Sequence, residues 1–185
     1  MTTTRTLQAQ QTRQAVLDTA RRLFAERGYD ATSLQEIADA MGVRKANVYY
    51  YFKTKSALLA ELLGSFTAPL DALLDEVAAL PDRRSRVERL AVGYAAVVTQ
   101  AYRGRGPLNL GDPGLQREPG AARIIDELAE RGLRLLFGDA PSVDQRAAFW
   151  LILDLGPVLR RFDELSDADL RAALERLCLR VVRSV

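Results

Sequence analysis

The three lysines of this 185-residue chain, Lys45, Lys53 and Lys55, crowd around three consecutive tyrosines, Tyr49, Tyr50 and Tyr51, with Asn47 among them. An ammonium group pairs with phosphate or with the acceptors of guanine, and an asparagine amide can bond adenine in bidentate fashion. A tyrosine offers a hydroxyl for phosphate and a ring for a sugar or a thymine methyl. Carried on a short helix with an apolar rear face, such a set suits entry into the DNA major groove. The same residues also fit the solvated surface of an ordinary helical protein, and short motifs of this kind give many false positives. The chain is poor in groups for catalysis. It has no histidine, the commonest general base and zinc ligand. Its one cysteine, Cys178, falls on an apolar helix face and reads as packing. No metal-ligand spacing and no glycine-rich phosphate loop is present, so no catalytic residue, metal or cofactor is expected.

The elements that would position this set are legible nearby. Ser33 and Glu36 form an S-x-x-E capping box, which starts a helix near Leu34. Ile37, Ala38 and Met41 give it an apolar face. Gly42 supplies the left-handed residue that closes a helix, and Val43 pins the turn to a core. A second helix is expected from about Arg44 to Tyr51, with Val48 and Phe52 facing inward and Tyr51 either buried or exposed. Helix, glycine turn and steeply angled helix make the helix-turn-helix pattern.

The string V-R-K-A-N-V-Y-Y-Y-F-K-T-K-S-A-L-L, residues 43–59, resembles the recognition helix and following helix start of the TetR family of bacterial transcriptional regulators. The resemblance reaches back through a first helix (Arg13 to Arg27), the Gly28-Tyr29 corner and the Thr32-Ser33 start, about the first third of the chain. It implies an all-α fold: an N-terminal three-helix helix-turn-helix DNA-binding domain, then a helical ligand-binding and dimerisation domain. It also implies roles. Lys45 opens the recognition helix and reaches a base or phosphate. Asn47 and Tyr49 meet base edges and phosphates, Tyr50 touches the backbone, and Lys55 grips a phosphate. Ser33 and Gln35 present the second helix to the duplex. The chain departs from the family pattern at three places. Arg44 stands where Ser or Thr usually caps the recognition helix, and adds its own cation to the contact set. Ala46 replaces a frequent Gly or Pro, and Tyr51 replaces a common His. These changes bear on the operator sequence rather than on the mode of binding.

Charge agrees in sign. Residues 1–60 hold nine Lys/Arg against five Asp/Glu, and residues 61–185 hold 17 against 19. A basic head on a slightly acidic body suits contact with DNA through one end. Residues 1–11 lack the apolar core of a signal peptide and read as a flexible arm. No run is expected to span a membrane, so a cytoplasmic location follows. The DNA-binding domain is placed at 12–55 and the sensing and dimerisation domain at 56–185.

That body reads as helical throughout. Residues 56–79 form one apolar pattern that Pro69 should kink or split. A five-turn amphipathic helix follows from Val87 to Ala101. Residues 103–120, rich in Gly and Pro, read as a long loop with one short helix near Leu115 and as a candidate portal. Further helices are expected over 119–137, after Ser142 with a bend at Gly156-Pro157, and after the Ser166 cap. Phe66, Tyr94, Tyr102, Phe149 and Trp150 are candidates for a ligand pocket, with Thr99, Gln100 and Asn109 as polar marks. Each also reads as aromatic or ordinary core. The last two helices are expected to pair with their copies in a homodimer, as the resemblance implies. The function expected is a ligand-responsive regulator, a repressor released from a palindromic operator by a small-molecule inducer. Two alternatives are a helix-turn-helix module without a sensor role and a small helical enzyme.

Overall fold

A computed structural model describes residues 2–105, 112–153, 155, 159 and 161–185. Among the described residues there are nine helices and no strand. They are α1 (Thr2–Arg27), α2 (Leu34–Ala40), α3 (Lys45–Tyr51), α4 (Lys55–Ala78), α5 (Arg83–Arg105), α6 (Pro113–Arg117), α7 (Pro119–Phe137), α8 (Val143–Leu153) and α9 (Asp167–Arg183). The chain divides into two compact units, Met1–Gly64 with Arg105–Ala121, and Ser65–Gly104 with Ala122–Val185.

The first unit is built on α1. Val16, Leu17, Ala20, Leu23 and Phe24 recur at helical spacing and are all buried. They meet Ile37 and Ala38 of α2, Val48 of α3 and Leu58, Leu59, Leu62 and Leu63 of α4 as the buried residues of the unit. Residues 2–11, expected as an arm, belong to α1 instead. The stretch has neither Gly nor Pro, and after Thr2–Thr4 its Arg5, Leu7, Gln8, Ala9, Gln10 and Gln11 are residues that lose little freedom in a helix. The unit also exceeds the expected 12–55, because the first turns of α4 and the segment around α6 fold with it.

The second unit packs the later part of α4 with α5, α7, α8 and α9. Leu70, Val77, Ala95, Leu133, Leu170 and Leu174 are among its core residues. Helix ends are closed by side chains. Arg83, at the start of α5, donates from Nε to the Leu136 carbonyl (3.0 Å) and from Nη2 to the Val182 carbonyl (3.3 Å), satisfying orphan acceptors at the ends of α7 and α9. Tyr94 donates to the Ile152 carbonyl at 2.9 Å and so ties α5 to the end of α8.

Three expectations for the body change. Pro69 does not split α4, which runs unbroken from Lys55 to Ala78. Proline removes one donor, and the buried leucines on either side hold the helix together. α4 is also long and apolar enough to cross a membrane by length and composition, contrary to the reading that no run approaches a span. Its leucines, however, are spent on the two cores. Finally, parts of the expected loop over 103–120 are helical. α5 extends to Arg105 and α6 begins at Pro113. Asn109 and the Gly156-Pro157 bend lie outside the described residues.

Candidate nucleic-acid interface

Helices α2 and α3 meet as the sequence predicts. Ser33 accepts from the Glu36 amide at 3.2 Å, and Glu36 accepts from the Ser33 amide at 2.8 Å, completing the capping box. The Ser33 contacts hold the Glu36 carboxyl below the ordinary glutamate range. Gly42 has φ +66°, a conformation that side chains strain to reach, and the chain turns there into α3. Val48 (0% exposed) and Phe52 (3%) anchor α3 from behind.

The opposite face of α3 is open. Arg44, Lys45, Ala46 and Asn47 are exposed, Tyr49 is 39% exposed and Tyr50 is 74% exposed. A tyrosine left that bare is unusual for a group able to bury an apolar ring. Lys45 Nζ lies 5.3 Å from the Tyr49 ring centroid, and the Tyr50 and Tyr51 rings meet edge to face at 5.0 Å. Arg44 is the N-cap residue and makes no side-chain cap bond. The helix start therefore lacks the usual bonded oxygen and carries a free-standing cation. Gln35 is exposed and donates to Asp39 at 2.7 Å.

Lys55 sits differently. It is half-buried, and its Nζ donates to the Tyr29 carbonyl at 2.8 Å and lies 4.1 Å from the Tyr29 ring centroid. It clamps the start of α4 to the corner between α1 and α2. An ammonium has three donors, so a phosphate can share it, but its first task here is to hold that corner.

The same corner receives a group that the sequence reading placed elsewhere. Asp112 caps α6 by accepting from the Leu115 amide at 2.9 Å, and also accepts from the Tyr29 amide at 3.4 Å. Glu118 accepts from the Tyr29 hydroxyl (3.2 Å) and from the Ser56 hydroxyl (3.1 Å), and Arg117 pairs with Asp30. Burial, foremost, raises the Tyr29 phenol above its ordinary value. Gly28 has φ +87°, and a Cβ there would come within 2.8 Å of Asp112 Oδ2. Residues 112–118 of the stretch read as a candidate portal thus buttress the first unit. Its D-P-G string, an N-cap followed by proline at the first helical position, was the signal for this helix.

Of the proposed pocket residues, Tyr94 and Phe149 border an apolar cavity in the second unit. Phe66, Tyr102 and Trp150 do not. Phe66 packs half-buried on the core, Tyr102 bonds Asp163, and Trp150 is 41% exposed. Aromatic residues were chosen for their size, whereas the cavity wall is chiefly leucine. Thr99 is buried and does not border the cavity. Trp150 belongs with Val143 and Leu151 to an exposed apolar strip on α8, and Leu177 of α9 is also exposed.

Residues 16–62 match the sequence family described as bacterial regulatory proteins, tetR family. The HTH-type transcriptional regulator AcrR of Shigella flexneri is 51% identical over 55 residues, 30% of this chain and 26% of that protein. The HTH-type transcriptional repressor KstR2 of Rhodococcus jostii is 37% identical over 87 residues, 46% of this chain and 43% of that protein. The chain thus spans less than half the length of these curated relatives. The crystal structure of AmtR from Mycobacterium smegmatis is similar in fold, with TM-score 0.68 at 23% identity over 90% of this chain and 84% of that one.

Proposed function

Because residues 16–62 match the tetR family of bacterial regulatory proteins, we propose that this chain is a DNA-binding transcriptional regulator of that family, acting in the cytoplasm as a repressor that a small-molecule inducer releases from a palindromic operator. The observation that carries this reading is α3, a short helix seated on buried Val48 and Phe52 whose outer face leaves Lys45, Asn47, Tyr49 and Tyr50 open. Lys45 and Arg44 neutralise phosphates, and Asn47 and Tyr49 read base edges. Ser33, Gln35 and Lys55 hold the second helix and the α4 start against the backbone.

The acting form is a homodimer joined through α8 and α9. Exposed Trp150 and Leu151 on α8 and exposed Leu177 on α9 support this, since large apolar side chains left open to solvent suit an interaction site. Two-fold symmetry then places two α3 helices on half-sites about 34–36 Å apart. The inducer binds within the second unit, and α4, continuous through both units, carries its effect to the head. A coupling of about 1–3 kcal/mol lowers operator affinity from several-fold to over a hundredfold.

The test is binding of the purified chain to the DNA upstream of its own gene, measured across a salt series. Affinity should fall steeply with salt, and Tyr49→Ala or Lys45→Ala should weaken it at least tenfold while the melting curve stays in place. Binding with no salt dependence, or wild-type affinity in both variants, sinks the proposal.

A further inference from the structure

Tyr51 stands where the family pattern commonly has His, and it is the last residue of α3. Its base is fixed. The next residue, Phe52, is 3% exposed, and the Phe52 amide donates to the Val48 carbonyl at 2.9 Å. The Arg13 guanidinium lies 5.0 Å from the Phe52 ring centroid and closes that seat from α1. Tyr51 itself is half-buried.

Tyr50 is the opposite case. It is 74% exposed, and its one ring contact among the described residues is with Tyr51, at 5.0 Å between centroids and 88° between planes. In this edge-to-face arrangement the positive rim of one ring meets the negative face of the other. Adjacent side chains on a helix seldom face each other, so the pair is not a by-product of helical spacing. An exposed tyrosine turns about two side-chain bonds, and fixing such a side chain on binding costs affinity. A ring already held by its neighbour enters a complex with part of that ordering done. Tyr49 has a comparable partner in Lys45, whereas Tyr50 has only Tyr51.

We infer that Tyr51 is a positioning residue for DNA binding: its ring holds the Tyr50 ring in the orientation that meets the sugar–phosphate backbone, and its own hydroxyl takes no part. The inference rests on the DNA-binding reading above and adds to it a residue that acts through another.

The experiment measures binding of the intact chain to its upstream DNA, with melting curves beside it. Tyr51→Phe keeps the ring and should hold affinity within about twofold of wild type. Tyr51→Ala removes the ring and should weaken binding roughly three- to tenfold. In a Tyr50→Ala background the same change should cost less than about twofold, because the ring it serves is gone. Tyr51→Leu, which keeps apolar bulk without a ring, takes the place of Tyr51→Ala if that variant melts early. A loss in Tyr51→Phe equal to that in Tyr51→Ala makes the hydroxyl a DNA contact and overturns the inference. Wild-type affinity in the ringless variant, or a loss undiminished by Tyr50→Ala, also overturns it. In each of these cases the wild-type chain still binds DNA and the regulator reading stands. A wild-type chain with no salt-dependent binding removes both.

Discussion

At Arg44 a helix cap has been exchanged for a cation. The residue occupies the N-cap of α3 and offers no side-chain acceptor to the helix start. An N-cap serine commonly contributes about 1 kcal/mol, so the exchange weakens the local fold in return for a charge at the point where α3 would meet phosphate. Arg44→Ser should therefore stabilise the protein by about 0.5–1 kcal/mol. It should also weaken DNA binding and flatten its log–log salt slope by about one unit. Denaturant unfolding beside binding at several salt concentrations measures both. A variant no more stable than wild type would remove the capping argument, and an unchanged slope would remove Arg44 from the phosphate contacts. The exposed placement of this residue, like that of Lys45, Asn47, Tyr49 and Tyr50, was legible in the sequence because one short stretch carries both the apolar seat and the polar face. Lys55 was legible only in part. Its clamp on Tyr29 joins residues 26 positions apart in the chain, and no local pattern encodes such a pairing.

Among the elements, α6 shows what periodicity cannot reach. Its residues announce a short capped helix, yet nothing in them names the corner 83 positions earlier that Asp112 meets at Tyr29. Composition instead suggested slack, because Gly and Pro mark irregular backbone and do not say what that backbone touches. The contact makes Asp112 a double acceptor, for the Leu115 amide and the Tyr29 amide. Asp112→Ala should destabilise the chain by about 1 kcal/mol through loss of the cap, and should speed hydrogen exchange at both Leu115 and Tyr29. Faster exchange at Leu115 alone would reduce Asp112 to a cap and remove its part in bracing the corner. The long helices were easier to read. α7 runs from Pro119 to Phe137 as its apolar spacing requires, and Ser166 accepts from the Asp169 amide at the start of α9.

For the whole molecule, the second unit presents two apolar surfaces of different kinds. One is inward, the cavity wall. The other is outward: Leu151 on α8 is 65% exposed and Leu177 on α9 is 39% exposed. A leucine left that open returns free energy only when a partner covers it. Leu151→Asp should shift the chain from dimer to monomer in sedimentation equilibrium, with little change in helix content, and should weaken operator binding by removing the paired half-site contact. A dimer that survives Leu151→Asp and Leu177→Asp together would place the interface elsewhere. The sequence showed apolar stripes on both closing helices but could not divide them into inward and outward shares, because that division depends on which neighbours each helix finds.

α4 has a lasting consequence for how this chain can vary. Its buried leucines before Gly64 belong to the first unit and those after Ser65 to the second, on one uninterrupted helix. Each residue advances a helix by about 100°, so a single insertion between Leu59 and Leu62 would turn part of that buried row out of the first unit's core. The two amino acids between the leucine rows, Gly64 and Ser65, are exposed and carry no such constraint from burial.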